Sequence, residues 1–172
     1  NINLSILTLK IGFKTNLVLE SPRELDLNIE VSQELNVRPL LGIRVKLTNK
    51  VSGNWSQSSG DRSAFGMSVE QVMKVITKLK INNYLDCLVL QHSHLGSQIP
   101  DIIEIRKATQ EACRFYSEMC KEGAPLEYLD LGGGLGVDYT GEQKSSLNSI
   151  NYSLDEYCIN IVETVKYELD QS

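Results

Sequence analysis

The chemistry-bearing residues of this 172-residue chain gather in two short glycine-containing stretches and on one strand-borne arginine. In Leu126–Gly136, LEYLDLGGGLG, an apolar run with Leu126, Tyr128 and Leu129 reads as a strand ending in Gly132, Gly133 and Gly134, with Gly136 just beyond. Successive glycines let the backbone turn sharply with its amides facing outward, and such a concavity suits a phosphate. The spacing is neither G-x-G-x-x-G nor a P-loop, because no Lys-Ser/Thr pair follows. Glycines after a strand also serve as plain turns, so cradle and turn both stand at this point. The second stretch, His92–Ser97 (HSHLGS), also leaves an apolar strand and holds the only two histidines of the chain. Two residues apart on extended backbone, His92 and His94 share a face if the strand persists that far. A histidine there either satisfies a buried partner or, as His94, stacks on or exchanges protons with the ring of an organic ligand. Ser97 and the glycine amides can share that ligand's phosphate. No Cys, Asp or Glu at ligand spacing completes a metal set around the histidines.

These residues need a frame. Residues 2–12 suit a short helix ending at Gly12, and Leu17–Glu20 a short strand. Ser21-Pro22 opens a helix over Pro22–Leu35, with Leu25, Ile29 and Leu35 on its apolar side. Pro39 breaks the chain before a strand at Leu40–Leu47, where Leu41, Ile43, Val45 and Leu47 alternate with Gly42, Arg44 and Lys46. One face is apolar and the other presents Arg44. Ser68 and Gln71 form a capping box ahead of a helix carrying Val69, Val72, Met73, Ile76 and Leu79. A strand at Tyr84–Leu90 leads into the histidines, and Pro100 precedes a long helix over Asp101–Lys121. That helix turns Ile102, Ile105, Ala112, Cys113, Tyr116 and Cys120 inward. The last helix begins at Ser153, with Glu156 in the box position and a stripe of Leu154, Tyr157, Ile161, Val162, Val165 and Leu169.

Strand followed by helix, four times over, with starts near residues 17, 40, 85 and 126, requires a parallel sheet with crossover helices. Four such units make about half of an eight-unit barrel, and a doubly wound open sheet is the alternative. In both, ligands sit at the C-terminal ends of the strands. Two polar loops, Asn49–Met67 with the sole tryptophan Trp55 and Asp138–Asn151, join the elements. The length of the first favours an active-site or interface role.

Composition excludes several classes. The net charge of -5 with dispersed positive residues offers no stripe for nucleic acid. No run of 18 apolar residues spans a membrane, and Asn1–Gly12 lacks the basic region of a signal peptide. Cys87, Cys113, Cys120 and Cys158 have no zinc-like spacing and read as buried free thiols, three on helices and Cys87 on a strand. The triplets at Asn3, Asn54 and Asn151 carry no meaning without a secretion signal. The start at Asn1 and the stop inside a helical pattern lead us to expect a segment of a longer protein.

Four motifs in order, IRVKL at 43–47, SGNWSQSSGDRSAFGM at 52–67, HSHLGSQI at 92–99 and LDLGGGLGVDYTG at 129–141, resemble the biosynthetic arginine decarboxylases. The similarity continues through NYSLDEY at 151–157 and so covers nearly the whole chain. This family belongs to the pyridoxal-phosphate decarboxylases with an alanine-racemase-like barrel. The resemblance implies an α/β fold, a partial (β/α)8 barrel forming the central part of the cofactor-binding domain. It implies that the family's N-terminal start and C-terminal β domain lie outside residues 1–172. It implies conversion of L-arginine to agmatine and carbon dioxide in polyamine synthesis, with pyridoxal 5'-phosphate as cofactor and Mg2+ as an accessory. It also implies a homo-oligomer in the cytoplasm, or in a plastid for a plant or alga. Residue by residue, His94 matches the histidine stacked on the pyridine ring and acting at the catalytic centre. Ser97, Gly132, Gly133 and Gly134 match the residues around the phosphate, and Arg44 matches a strand arginine lining the cofactor. Arg44 paired with a carboxylate for structure alone is the other reading.

The sequence departs from the family in places. The lysine that links the cofactor is expected upstream of Asn1, while the glutamate for the pyridine nitrogen and the cross-dimer cysteine–aspartate pair are expected downstream of Ser172. Neither Lys46 nor Lys74 sits in a matching motif. Ala64 stands where the family has a lysine serving the dimer contact, and Ser93 replaces a bulky residue between the histidines. The segment alone is therefore expected to be inactive. A non-catalytic relic or regulatory paralogue, and a decarboxylase of ornithine or diaminopimelate, are the competing readings.

Overall fold

The structure is a computed structural model that describes residues 2–48, 65–137 and 150–171. Among the described residues five α-helices and four strands alternate: α1 Ile2–Lys10, β1 Asn16–Leu19, α2 Pro22–Leu35, β2 Leu40–Val45, α3 Val69–Ile81, β3 Leu88–Ile99, α4 Ile102–Lys121, β4 Tyr128–Leu135 and α5 Leu154–Asp170. The four strands form one parallel sheet in the order β1-β2-β3-β4, with Asn16 opposite Leu40 and Leu19 opposite Ile43. Sequential order decides between the two architectures. A doubly wound sheet reverses direction at a switch point, whereas a barrel adds each strand beside the last. The winding here is that of a barrel, four β/α units of it.

Two units divide the chain. The first comprises Asn1–Val45, Gly66–His92 and Glu118–Asp130; the second comprises Lys46–Phe65, Ser93–Ser117 and Leu131–Ser172. In the first unit, Leu41, Ile43 and Val45 are buried while Arg44 is only partly covered, as the alternation in β2 requires. Each of these aliphatic side chains contributes about 1.5–3 kcal/mol by leaving water. Helix α2 begins with Pro22 in its first turn and stops at Asn36, which takes a left-handed conformation (φ 50°) and so closes the helix. Its inward face includes Leu25 and Ile29 and, beyond the sequence expectation, Asn28 and Ser32. Helix α3 carries the expected box: the Gln71 amide donates to Ser68 Oγ at 3.4 Å, and the Ser68 amide donates to Gln71 Oε1 at 3.0 Å. Val72, Val75, Ile76 and Leu79 are its buried stripe, whereas Val69 and Met73 are exposed.

The second unit buries Leu95, Ile99, Ile105, Ala108, Ala112 and Cys113. Helix α5 starts with its own box, Ser153 with Glu156. Its stripe behaves differently from the expectation, because Thr164 is its buried residue and Leu154 and Val162 are exposed.

Three local expectations need correction. Residues Leu85–Cys87 form a 3-10 turn, not a strand, so Cys87 sits in that turn and β3 begins at Leu88. Strands β3 and β4 do not stop before their motifs; they run through HSHLGS and through the three glycines. Of the four free thiols, Cys87 and Cys113 are buried, Cys120 is partly so and Cys158 is exposed. Most of the Asn49–Met67 loop, with Trp55 and Ala64, and residues 138–149 of the second loop lie outside the described residues. Among the described residues no helix is long and apolar enough to cross a membrane.

Candidate functional site

The candidate site of the second unit is built on the ends of β3 and β4. Along β3 the side chains of Gln91, Ser93 and Leu95 are buried and those of His92 and His94 are half-buried, so the period of two persists through the histidines. Ser93, which stands in place of a bulkier residue, is itself completely buried. The strand then becomes irregular: Gly96 has φ 142° and Gln98, without glycine's freedom, has φ 52°. Gln98 gains a partner from this conformation, since its Oε1 accepts from the Val137 amide at 2.6 Å.

In β4, Gly133 and Gly134 have φ values of 72° and 91°, which an L side chain rarely adopts. Space adds a second reason for glycine at 133. A Cβ there would lie 2.6 Å from His94 Cε1 and 3.0 Å from His94 Nδ1, and would also collide with the Gly96 carbonyl oxygen. The imidazole of His94 therefore occupies the volume where residue 133 would have a side chain. Ser97 Oγ lies 3.5 Å from His94 Nε2, at the outer limit of a hydrogen bond. His94, Ser97 and Gly133 are thus brought together, with Gly132 and Gly134 flanking on the same strand.

Two tyrosines, Tyr152 just before the N-cap of α5 and Tyr157 in its first turn, hold this end of β4. The Tyr157 hydroxyl donates to the Gly133 carbonyl at 3.0 Å. The Tyr152 hydroxyl donates to the Ile99 carbonyl at 2.6 Å and accepts from the Gly136 amide at 2.8 Å. Burial raises both phenols above their usual pKa, so both keep the donated proton at neutral pH. The helical stripe treated Tyr157 as merely apolar. The available signal was its hydroxyl, because a partly buried tyrosine still seeks a polar partner for its tip.

Arg44 belongs to the first unit, where its guanidinium pairs with the Glu20 carboxylate. That ion pair is the structural half of the two readings of Arg44. The first unit also pairs His92 with a residue the sequence reading left aside: His92 Nδ1 lies 2.9 Å from Asp130 Oδ2, between the opening halves of β3 and β4. Glu20 and Asp130 carry no local signature, since each is recognised only by what its strand places beside it. Among the described residues, no three His, Cys, Asp or Glu side chains gather as a metal site would need.

The chain that carries this arrangement has relatives among known proteins. The family described as pyridoxal-dependent decarboxylase, pyridoxal binding domain, matches residues 5–168. The biosynthetic arginine decarboxylase of Prochlorococcus marinus (strain MIT 9301) is 46% identical over 165 residues, 96% of this chain and 26% of its own length. The enzyme of the same name from Vibrio cholerae is 45% identical over 164 residues, 95% of this chain and again 26% of the relative. Among solved structures, the biosynthetic arginine decarboxylase of Campylobacter jejuni superposes with a TM-score of 0.81 at 32% identity, over 99% of this chain and 26% of that one. Diaminopimelate decarboxylase of Helicobacter pylori shares the fold, with a TM-score of 0.76 at 23% identity, over 96% of this chain and 40% of that one. The chain spans about a quarter of the length of these three biosynthetic arginine decarboxylases. The match over residues 5–168 includes every residue of the glycine–imidazole cluster and both clamping tyrosines, and the chain belongs to the pyridoxal-dependent decarboxylases, within their pyridoxal-binding domain.

Proposed function

We propose that the protein containing this chain is a biosynthetic arginine decarboxylase, converting L-arginine to agmatine and carbon dioxide at the entry to polyamine synthesis. The observation that carries the reading is the seat of His94 on Gly133 beside Ser97, within a chain 46% identical to an enzyme of that name across 96% of its length. In this reading the chain is the central part of the cofactor-binding barrel. The lysine, glutamate and cysteine that complete the family's centre come from the remainder of the protein.

The residues present fit pyridoxal 5'-phosphate on structural grounds. Gly133 leaves the room that the His94 imidazole takes beside the strand, and the neighbouring residues offer hydroxyl and amide donors to an anion. Bound there, the cofactor supplies an electron sink for decarboxylation. His94 contributes a flat ring held in a fixed position, suited to lie against another aromatic ring and limit its tilt. Ser97 contributes a hydroxyl, and Gly132, Gly133 and Gly134 contribute amides unobstructed by side chains, as a phosphate requires. Arg44 is held in the first unit by its ion pair with Glu20, which favours the structural reading of that residue.

The test is carbon dioxide release by the full-length protein from arginine, ornithine and diaminopimelate. Arginine is expected to be turned over fastest. Preference for either other substrate overturns the substrate assignment, and release from none of them in a folded, cofactor-loaded protein favours a non-catalytic paralogue.

A further inference from the structure

We propose that Tyr157 is a positioning residue for the anion cradle, acting by fixing the peptide that joins Gly133 to Gly134. The inference rests on the reading that this glycine run receives a phosphate.

The argument starts from the weakness of the run itself. Two consecutive glycines with positive φ have no Cβ to restrict them, and each visits several backbone regions at little cost. A cradle made only of such residues loses much of its affinity to the entropy of ordering them when the anion arrives. An outside contact that orders them beforehand removes that loss. Tyr157 makes such a contact, since its hydroxyl donates to the Gly133 carbonyl at 3.0 Å. In a planar trans peptide the carbonyl and the next amide point in opposite directions, so holding the Gly133 oxygen sets the direction of the Gly134 N–H. Among the described residues every peptide is trans.

The reach of Tyr157 is itself fixed. It follows directly on the capping box of α5, where the Glu156 amide donates to Ser153 Oγ at 3.2 Å and the Ser153 amide donates to Glu156 Oε2 at 2.7 Å. Its own amide closes the first helical turn on the Ser153 carbonyl at 3.0 Å. Its ring packs beside Tyr152, with centroids 6.0 Å apart and planes inclined by 31°. Tyr152 in turn ties Ile99 to Gly136, so the glycine segment is gripped at both ends by one helix start. Burial, then Tyr152 and Cys158, raise the Tyr157 phenol, which keeps its proton available to the carbonyl through neutral pH.

The experiment compares pyridoxal 5'-phosphate with pyridoxal, its phosphate-free form, as ligands of the full-length protein and of its Tyr157→Phe variant. Equilibrium affinities are measured by titration, and folding is checked by urea unfolding without ligand. The unaltered protein is expected to prefer the phosphorylated form, and Tyr157→Phe to lower that preference about tenfold while pyridoxal affinity changes less than about twofold. A merely structural tyrosine would weaken both ligands alike or neither, and either result overturns the proposal. An unaltered protein that binds both forms equally removes the phosphate cradle, and this inference with it. If the phenylalanine variant does not fold, Tyr157→Met, similar in length and without a donor, provides the same comparison.

Discussion

In β2, Gly42 has no positive φ, and the space its side chain would fill is taken by Leu90 and Val18, whose carbons lie 2.8 Å and 3.2 Å from an added Cβ. In β4, Gly133 has φ 72° and faces an imidazole and a carbonyl oxygen. At the first position glycine lets hydrocarbon from neighbouring strands close up, and the partners are flexible side-chain ends. At the second it permits a backbone direction and leaves room for a polar ring, and one partner is main chain. Packing can yield by a few tenths of an ångström, whereas a main-chain carbonyl held in a strand cannot. Glycine in a strand therefore marks either a close-packed sheet or a site, and φ together with the neighbour's chemistry tells which.

The largest test of that contrast is Gly133→Val in the full-length protein. Left-handed strain and overpacking together should lower unfolding stability by about 3 kcal/mol. Affinity for pyridoxal phosphate, measured where the variant remains folded, should fall further than the destabilisation explains. Destabilisation with unchanged affinity would make the glycine run a turn and nothing more. Next in size is Tyr152→Phe, which strands the buried Gly136 amide and Ile99 carbonyl and should cost about 2 kcal/mol in urea unfolding. An undiminished stability would show that those groups do not depend on the tyrosine.

Gly42→Ala should cost only about 1 kcal/mol, because Leu90 can rotate away, and should leave cofactor affinity unchanged. A loss of affinity there would erase the distinction between the two glycines. The smallest effect is expected from Asp130→Asn, since Asp130 is half-exposed and partly solvated pairs contribute little: about 0.5 kcal/mol by the same unfolding measurement. A loss several times larger would extend the sensitive region of β4 back from the glycines to its opening half.

Elements governed by near neighbours in the chain were readable without coordinates. Helix α2 has the bounds its Ser-Pro start implies, α3 and α5 begin at the boxes formed by Ser68 with Gln71 and Ser153 with Glu156, and β2 shows its alternation. The grouping of His94, Ser97 and the glycines was also legible, because each stretch carries its own motif. The continuation of β3 and β4 through those motifs was not. Glycine signals a turn locally, and only pairing with a distant strand overrides that signal. Residues that act through their tips were equally hidden. Tyr157 fits an apolar stripe by position, Glu20 is one acidic residue among many, and the left-handed Gln98 has no sequence mark at all.

The order β1-β2-β3-β4 has a consequence for how the chain acquires its structure. Each strand docks beside the one made just before it, so no strand must be threaded between two others. Such a chain can be laid down in the direction of synthesis, β2 on β1 and then β3 on β2, each step offering an edge to the next. The glycine-rich end of β4 and the tyrosines that grip it follow β1, β2 and β3 in that order. The cofactor-facing detail is thus added to a scaffold already in place, and an error there need not cost the scaffold its fold.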